Sequence, residues 1–204
     1  MNGFSRRFAL QSIGAALPAL ALTRPAMAAA TIGSTTDLVG SGKLVSGGRQ
    51  SPLRIGSPLF EGDMVRTGKE TLAELMLNTE TRINMGPETE ITVATYLAEM
   101  GGTITVGGAI VFDRPEDQPK VDLTFQTEFG EIGVRGTRFF FGPSKGKISV
   151  FVQRGSVTVS NAGVTRRLKG GDGTDLEAGQ PPTEVAKWKE PRIKAAFELV
   201  GLAP

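Results

Sequence analysis

Any chemistry in this 204-residue chain must come from carboxylates, lysines or hydroxyls, because it contains neither histidine nor cysteine. That excludes Ser-His-Asp and Cys-His nucleophilic sites, and zinc, haem or iron–sulfur sites built on those side chains. Three acid pairs have a spacing that could serve glycoside hydrolysis: Glu61/Asp63, Glu88/Glu90 and Glu128/Glu131. They fall in turns and at outward strand positions, where solvated acids are the ordinary finding. Gly170-Gly171-Asp172-Gly173-Thr174-Asp175 matches the start of a calcium-binding nonapeptide, with Asp172 and Asp175 as candidate ligands. Calcium needs oxygens from neighbouring repeats, and this is a single copy with Glu177 at the apolar position, so a glycine-rich turn is the plainer reading. Gly142-Pro143-Ser144-Lys145-Gly146-Lys147 imitates a phosphate loop, but it is one residue short and has Ile148 in place of the magnesium-binding hydroxyl. No cofactor is expected.

The elements that carry these residues read as short strands. Thr71–Leu77, Val121–Thr127, Lys147–Gln153 and Gly155–Ser160 alternate apolar with polar residues, which gives each strand one buried and one solvated face. Turn signals recur every eight to twelve residues, among them Gly47-Gly48, Gly86-Pro87, Gly101-Gly102 and Asn161-Ala162-Gly163. The pattern predicts an all-β fold, a β-sandwich, roll or solenoid-like stack of short strands over residues 43–180, with residues 29–42 as linker or first strand. Residues 113–120, charged and with two prolines, read as an exposed loop. After Pro181-Pro182 the period becomes helical and predicts a C-terminal helical cap in 181–204, with a helix over 191–200. Within Phe139-Phe140-Phe141 the middle ring must face away from its neighbours, on the same side as Phe151. Phe140 and Phe151 are core if the terminal helix covers them, and an exposed contact site if it does not.

The first 28 residues predict where the protein works. Ser5-Arg6-Arg7, an apolar run from Ala9 to Leu22 and Ala26-Met27-Ala28 follow the order of an export signal, cleaved after Ala28 or Ala30. The Arg6-Arg7 pair and an apolar run diluted by Ser12, Gly14 and Pro18 favour the twin-arginine route over the ordinary secretory one. The run is too short for a stable membrane span, which needs about 20 strongly apolar residues. Removing the leader removes three arginines and no acid, which leaves a formal charge of −1. The basic pI of 9.0 therefore belongs to the leader and does not signal nucleic-acid binding.

Gly62-Asp63-Met64-Val65-Arg66-Thr67-Gly68 reads Gly-Asp-x-φ-x-Thr-Gly, where φ is apolar, and with the ordered pieces that follow it resembles the FecR domain, an extracytoplasmic module named after a bacterial iron-uptake regulator. Gly86-Pro87-Glu88-Thr89 is similar to its Pro-x-Ser/Thr stretch. Gly107 to Phe112 stands where the family has Gly-x-φ-x-Phe, and Val134-Arg135-Gly136-Thr137-Arg138-Phe139 resembles its Val-x-Gly-Thr-x-Phe motif. Asn78-Thr79-Glu80-Thr81 departs from the family's Asp-Gly hairpin turn. The resemblance covers residues 45–180 and implies the fold. It also implies a candidate self-cleavage bond, since membrane regulators of the family can split at Gly-Thr through attack of the threonine hydroxyl on the preceding carbonyl. Gly136 and Thr137 supply those groups, while a bulge or tight bend explains them equally well. Regulators of the family place a sigma-factor-binding region and a membrane helix ahead of this domain, whereas a cleavable leader is read here.

Together these readings give an exported, periplasmic, non-catalytic binding or scaffold module whose partner is an envelope or membrane protein, or a glycan. A sensory component of FecR-type signalling or iron-uptake regulation is the alternative, and an enzyme acting on envelope polysaccharide is the remotest. Replacing Arg6 and Arg7 by lysine is expected to abolish export through the twin-arginine route. An unchanged periplasmic yield of the double variant would assign the chain to the ordinary secretory route.

Overall fold

The computed structural model describes residues 30–78, 80–97 and 101–204. Arg6 and Arg7 lie outside these residues. In chain order the strands begin with β1 (Gly33–Val39), β2 (Gly42–Ser46), β3 (Arg49–Pro52), β4 (Pro58–Leu59), β5 (Met64–Thr67) and β6 (Leu72–Leu77). They continue with β7 (Thr81–Met85), β8 (Glu90–Leu97), β9 (Gly101–Gly107), β10 (Ile110–Asp113), β11 (Asp122–Thr127) and β12 (Gly130–Arg135). The last are β13 (Arg138–Ser144), β14 (Lys147–Arg154), β15 (Ser156–Asn161), β16 (Val164–Lys169), β17 (Asp172–Leu176) and β18 (Ala186–Lys187), followed by helix α1 (Glu190–Glu198).

The described strands form two nine-stranded sheets that face each other as a sandwich. Sheet A runs β18-β17-β14-β13-β10-β7-β6-β1-β4 and sheet B runs β16-β15-β12-β11-β9-β8-β5-β2-β3. Hairpins and the single strand β10 are laid alternately on the two sheets: β6–β7 on A, β8–β9 on B, β10 on A, β11–β12 on B, β13–β14 on A and β15–β16 on B. Each sheet therefore advances almost in sequence order, which joins the sandwich and solenoid-like alternatives in one architecture. β9 and β11 pair in parallel. Parallel neighbours need a crossover, and β10 provides it by passing through sheet A.

Alternation places the core as the sequence predicts. Leu75, Leu77, Ile83, Phe125, Val150 and Val152 point between the sheets and are buried. At the centre the rings of Phe112, Phe125 and Phe139 meet with centroids 5.1 to 5.6 Å apart. The helix starts and ends within two residues of its expected bounds, with Pro191 in its first turn.

Sheet A is also covered on its outer side. Ala109, Val111, Phe140 and Phe151 form a second cluster with Trp188, Ala196, Phe197 and Val200. Phe140 and Phe151 are direct cross-strand partners. Trp188 stacks on Phe151 at 5.0 Å and 20°, and the Arg192 guanidinium lies 3.8 Å above the indole on its other face. Beneath the indole is Gly173, where a β-carbon would collide with the ring. Arg192 is fixed in turn by hydrogen bonds to Ser144 Oγ at 3.0 Å, Ser149 Oγ at 2.9 Å and Asp175 Oδ1 at 2.6 Å.

The expected exposed loop needs one correction. Asp113 ends β10, and Arg114 is only 1% exposed although it is charged. Arg114 donates from Nε to Pro119 O, from Nη1 to Thr81 Oγ1 and from Nη2 to Glu80 Oε2. Burial of a cation is tolerated where its donors are met in this way. Only the loop tip, residues 115–120, lies at the surface.

Trp188→Ala is expected to destabilise the protein by about 3–5 kcal/mol, the usual loss for a buried large aromatic. The urea midpoint should fall, and binding of a hydrophobic dye should rise as Phe140 and Phe151 are uncovered. A shift below about 1 kcal/mol would show that α1 contributes little to the sandwich.

Candidate functional site

The aromatic pair read as a candidate contact site is not available to a partner. Phe140 is fully buried and Phe151 is 2% exposed, because Trp188 and α1 lie over them. The core alternative therefore replaces the contact site. The cap covers this part of sheet A only, since Arg82 on β7 stays exposed and Glu74 and Asn84 are half-buried.

Gly136 and Thr137 form a corner. β12 ends at Arg135 in sheet B and β13 begins at Arg138 in sheet A, so these two residues carry the chain from one sheet to the other. Gly136 has φ +64°, a left-handed value natural to glycine. Gly155 makes the reverse crossing between β14 and β15, and a β-carbon there would come 2.8 Å from the Gly136 carbonyl oxygen. Thr137 O accepts from Arg114 N at 3.1 Å. Among the described residues the Thr137 hydroxyl is buried without a hydrogen-bond partner, whereas a hydroxyl that attacks a carbonyl must give up its proton to an acceptor.

The candidate calcium ligands are separated and engaged elsewhere. Asp172 pairs with Lys187 Nζ at 2.8 Å and accepts from Lys169 N at 2.8 Å. The Lys187 hydrogen bond is the main cause that holds its carboxyl below the usual aspartate value. Asp175 receives Arg192 and Ser149. Among the described residues no group of three or more acids is placed to hold a metal ion.

Glu61, Asp63 and Glu90 of the candidate acid pairs also have structural partners. Asp63, expected to be solvated, is 2% exposed, and its Oδ2 accepts from Phe60 N at 2.9 Å, closing the turn at Gly62. Glu61 Oε1 accepts from Tyr96 N at 2.9 Å. Glu90 pairs with Arg66 across the strands. Two buried threonines of the quoted motifs fasten the Gly86-Pro87-Glu88 turn. Thr67 Oγ1 donates to Gly86 O at 2.7 Å and accepts from Thr89 N at 2.9 Å, while Thr89 Oγ1 accepts from Ala109 N at 2.9 Å.

The outer face of sheet B is polar, and three of its clefts bear on the candidate residues. One, of about 510 Å³, lies over β5, β8 and β9 beside Arg66, Glu90, Thr92 and Thr105. A second, of about 410 Å³, lies over β11, β12, β15 and β16 at Thr124, Gly133, Thr158 and Arg167. A third, of about 370 Å³, opens between loop 115–120 and the Gly136–Gly155 corner and contains Lys120, Arg135 and Lys169. The loop is held beside this corner by Asp113, which meets Arg154 at 2.9 Å and Arg138 at 3.7 Å, and by Glu116, which meets Arg154 at 3.4 Å. Sequence reasoning missed the grouping of Lys120, Arg135, Arg167 and Lys169. Alternation marks the three strand residues as outward, but their common neighbourhood depends on strand order.

Comparison with known proteins agrees with this geometry. Residues 63–158 match the family model described as FecR protein, and no curated protein matches the chain. Two solved structures of a "putative anti-sigma factor" from Parabacteroides distasonis ATCC 8503, at 1.65 and 2.50 Å resolution, are similar in fold. Each is 15% identical with a TM-score of 0.53 over 68% of this chain, which spans 65% and 64% of those chains. The matched segment runs from the Asp63 turn, through the Thr67–Thr89 latch and both sheet-crossing corners, to β15. Residues 63–158 of this chain therefore form a FecR domain.

Proposed function

We propose that this protein is an exported, non-catalytic component of FecR-type signalling in the cell envelope, binding a protein partner through the outer face of sheet B. The FecR domain over residues 63–158 carries this reading. Three further features support it. The acids Glu61, Asp63 and Glu90 hold turns and strands together through Tyr96 N, Phe60 N and Arg66. The apolar face of sheet A is closed by the chain's own helix, which leaves recognition to polar side chains. Among the described residues no helix is long and apolar enough to cross a membrane.

An exported domain cannot touch a cytoplasmic sigma factor, so the reading requires a separately encoded membrane protein as relay. Deleting the gene should shift transcription of one discrete extracytoplasmic sigma-factor regulon several-fold. The wild-type chain should restore it, and a form retained in the cytoplasm should not. Unchanged regulons in the deletion strain would refute the signalling role.

We also propose that the Gly136–Thr137 bond stays intact, its residues serving as the sheet-crossing corner. Intact mass of the mature chain under denaturing conditions should show one species. Two fragments meeting at that bond would assign it a self-cleaving role instead.

A further inference from the structure

We propose that the end of sheet B formed by β11, β12, β15 and β16 is a docking trough for an acidic, extended segment of a partner protein. The proposal rests on the signalling reading above and specifies the chemistry of its partner.

The trough follows from strand register. Thr124 pairs with Gly133, Gly133 with Thr158, and Thr158 with Arg167, making one row across four strands. Adjacent strands lie about 4.8 Å apart, so the row spans about 14 Å. Its floor drops at Gly133, where a β-carbon would sit 2.7 Å from Thr158 Oγ1. The next row brings Arg135 opposite Asp122 and Lys169 opposite Ser156. The clefts of about 410 and 370 Å³ share Arg135 and Ser156, and so form one continuous depression.

Its charge is one-sided. Lys120, Arg135, Arg167 and Lys169 line the depression against two acids, Asp122 and Glu116. Glu116 is already engaged by Arg154, and Asp122 is a weak competitor, 3.7 Å from Arg135 with its side chain 74% exposed. The cleft over β5, β8 and β9 on the same face has the opposite balance, with Glu88, Glu90 and Glu128 against Arg66 and Lys69. Without its leader the chain has a formal charge of −1, so this cationic end is a local arrangement and not bulk charge.

The ligand class follows from these groups. Arginines and lysines attract carboxylates and steer their approach. The hydroxyls of Thr124, Ser156 and Thr158 can serve backbone groups lying between those carboxylates. Arg135 and Arg167 stand on strands two positions apart, about 10 Å, which three residues of extended chain can bridge. No aromatic side chain lines either cleft, so there is no flat apolar platform for a sugar ring. An acidic peptide segment fits this surface better than an acidic polysaccharide.

The test uses the full mature chain and a fluorescein-labelled peptide of alternating glutamate and serine, read by anisotropy at physiological salt. The glutamate peptide should bind and its glutamine counterpart should not. Arg135→Glu with Arg167→Glu should weaken binding about tenfold or more. Lys145→Glu with Lys147→Glu, an equal charge change at the exposed β13–β14 turn, should leave it within about twofold. Circular dichroism of both variants checks that these surface changes leave the fold intact. Absence of binding, or equal loss in both variants, would overturn the trough. Tighter binding of polygalacturonate with the same dependence on Arg135 and Arg167 would overturn the peptide assignment in favour of an acidic glycan. If the peptide fails while gene deletion still shifts the regulon, only this inference falls. If deletion leaves the regulon unchanged, the signalling reading falls whatever the peptide does.

Discussion

Because successive side chains of a strand point to opposite faces, the run Phe139-Phe140-Phe141 obliges sheet A to be covered twice. Phe139 and Phe141 enter the core between the sheets, while Phe140 emerges on the other side next to Phe151. Two adjacent phenylalanines on a solvated sheet would form an apolar patch of the kind that draws in other chains. The C-terminal segment removes it with Trp188 against Phe151, Phe197 beside them and Arg192 closing the stack. The Arg192–Asp175 pair then ties α1 to β17, so the cap is held by charge as well as apolar area. The outer face of sheet A around Phe140 and Phe151 is thereby closed, while Arg82 on β7 of the same sheet stays exposed.

The alternating topology has its own consequence. Each hairpin docks beside one made shortly before it, so most pairings join strands close in sequence. Contacts of short sequence separation form at small loop-closure cost and favour rapid folding. The twin-arginine pathway proposed from Arg6-Arg7 carries proteins already folded, and this topology suits that order of events. The requirement is local at the corners, where two strands change sheets: φ opposes a side chain at Gly136 and at Gly155, and at Gly155 the Gly136 carbonyl also leaves no space for one.

What the sequence revealed and what it concealed divide along physical lines. Period-two alternation exposed the strands and their inward residues, including the juxtaposition of Phe140 and Phe151, because it depends only on backbone geometry. The apolar spacing after Pro182 revealed the terminal helix for the same kind of reason. Arg114 and Asp63 were misplaced because charge argues for exposure unless partners are known, and their partners, Thr81, Glu80 and Phe60, are supplied by turns and tertiary packing. The cationic trough was invisible because it is assembled from strands whose register no local pattern specifies. Gly133 shows the difficulty well: in sequence it is one more glycine, and only its place beside Thr158 makes it the floor of a cleft.

The division also separates what defines this family's fold from what this member recognises. Asp63 closes a turn, Thr67 and Thr89 latch another, and Gly136-Thr137 turns the corner between sheets, so the fixed letters of the motifs maintain the scaffold. The open letters of Val-x-Gly-Thr-x-Phe are occupied here by Arg135 and Arg138. Arg138 turns inward to Asp113 and the Phe197 ring, joining the corner to the terminal helix. Arg135 turns outward into the trough, on a strand whose inner face is buried. A position that the fold leaves free, held on a backbone that it fixes, is where specificity can change without disturbing stability. By that argument Arg135 is the point where the family's most specific motif meets the proposed docking trough, on a position that the fold leaves free.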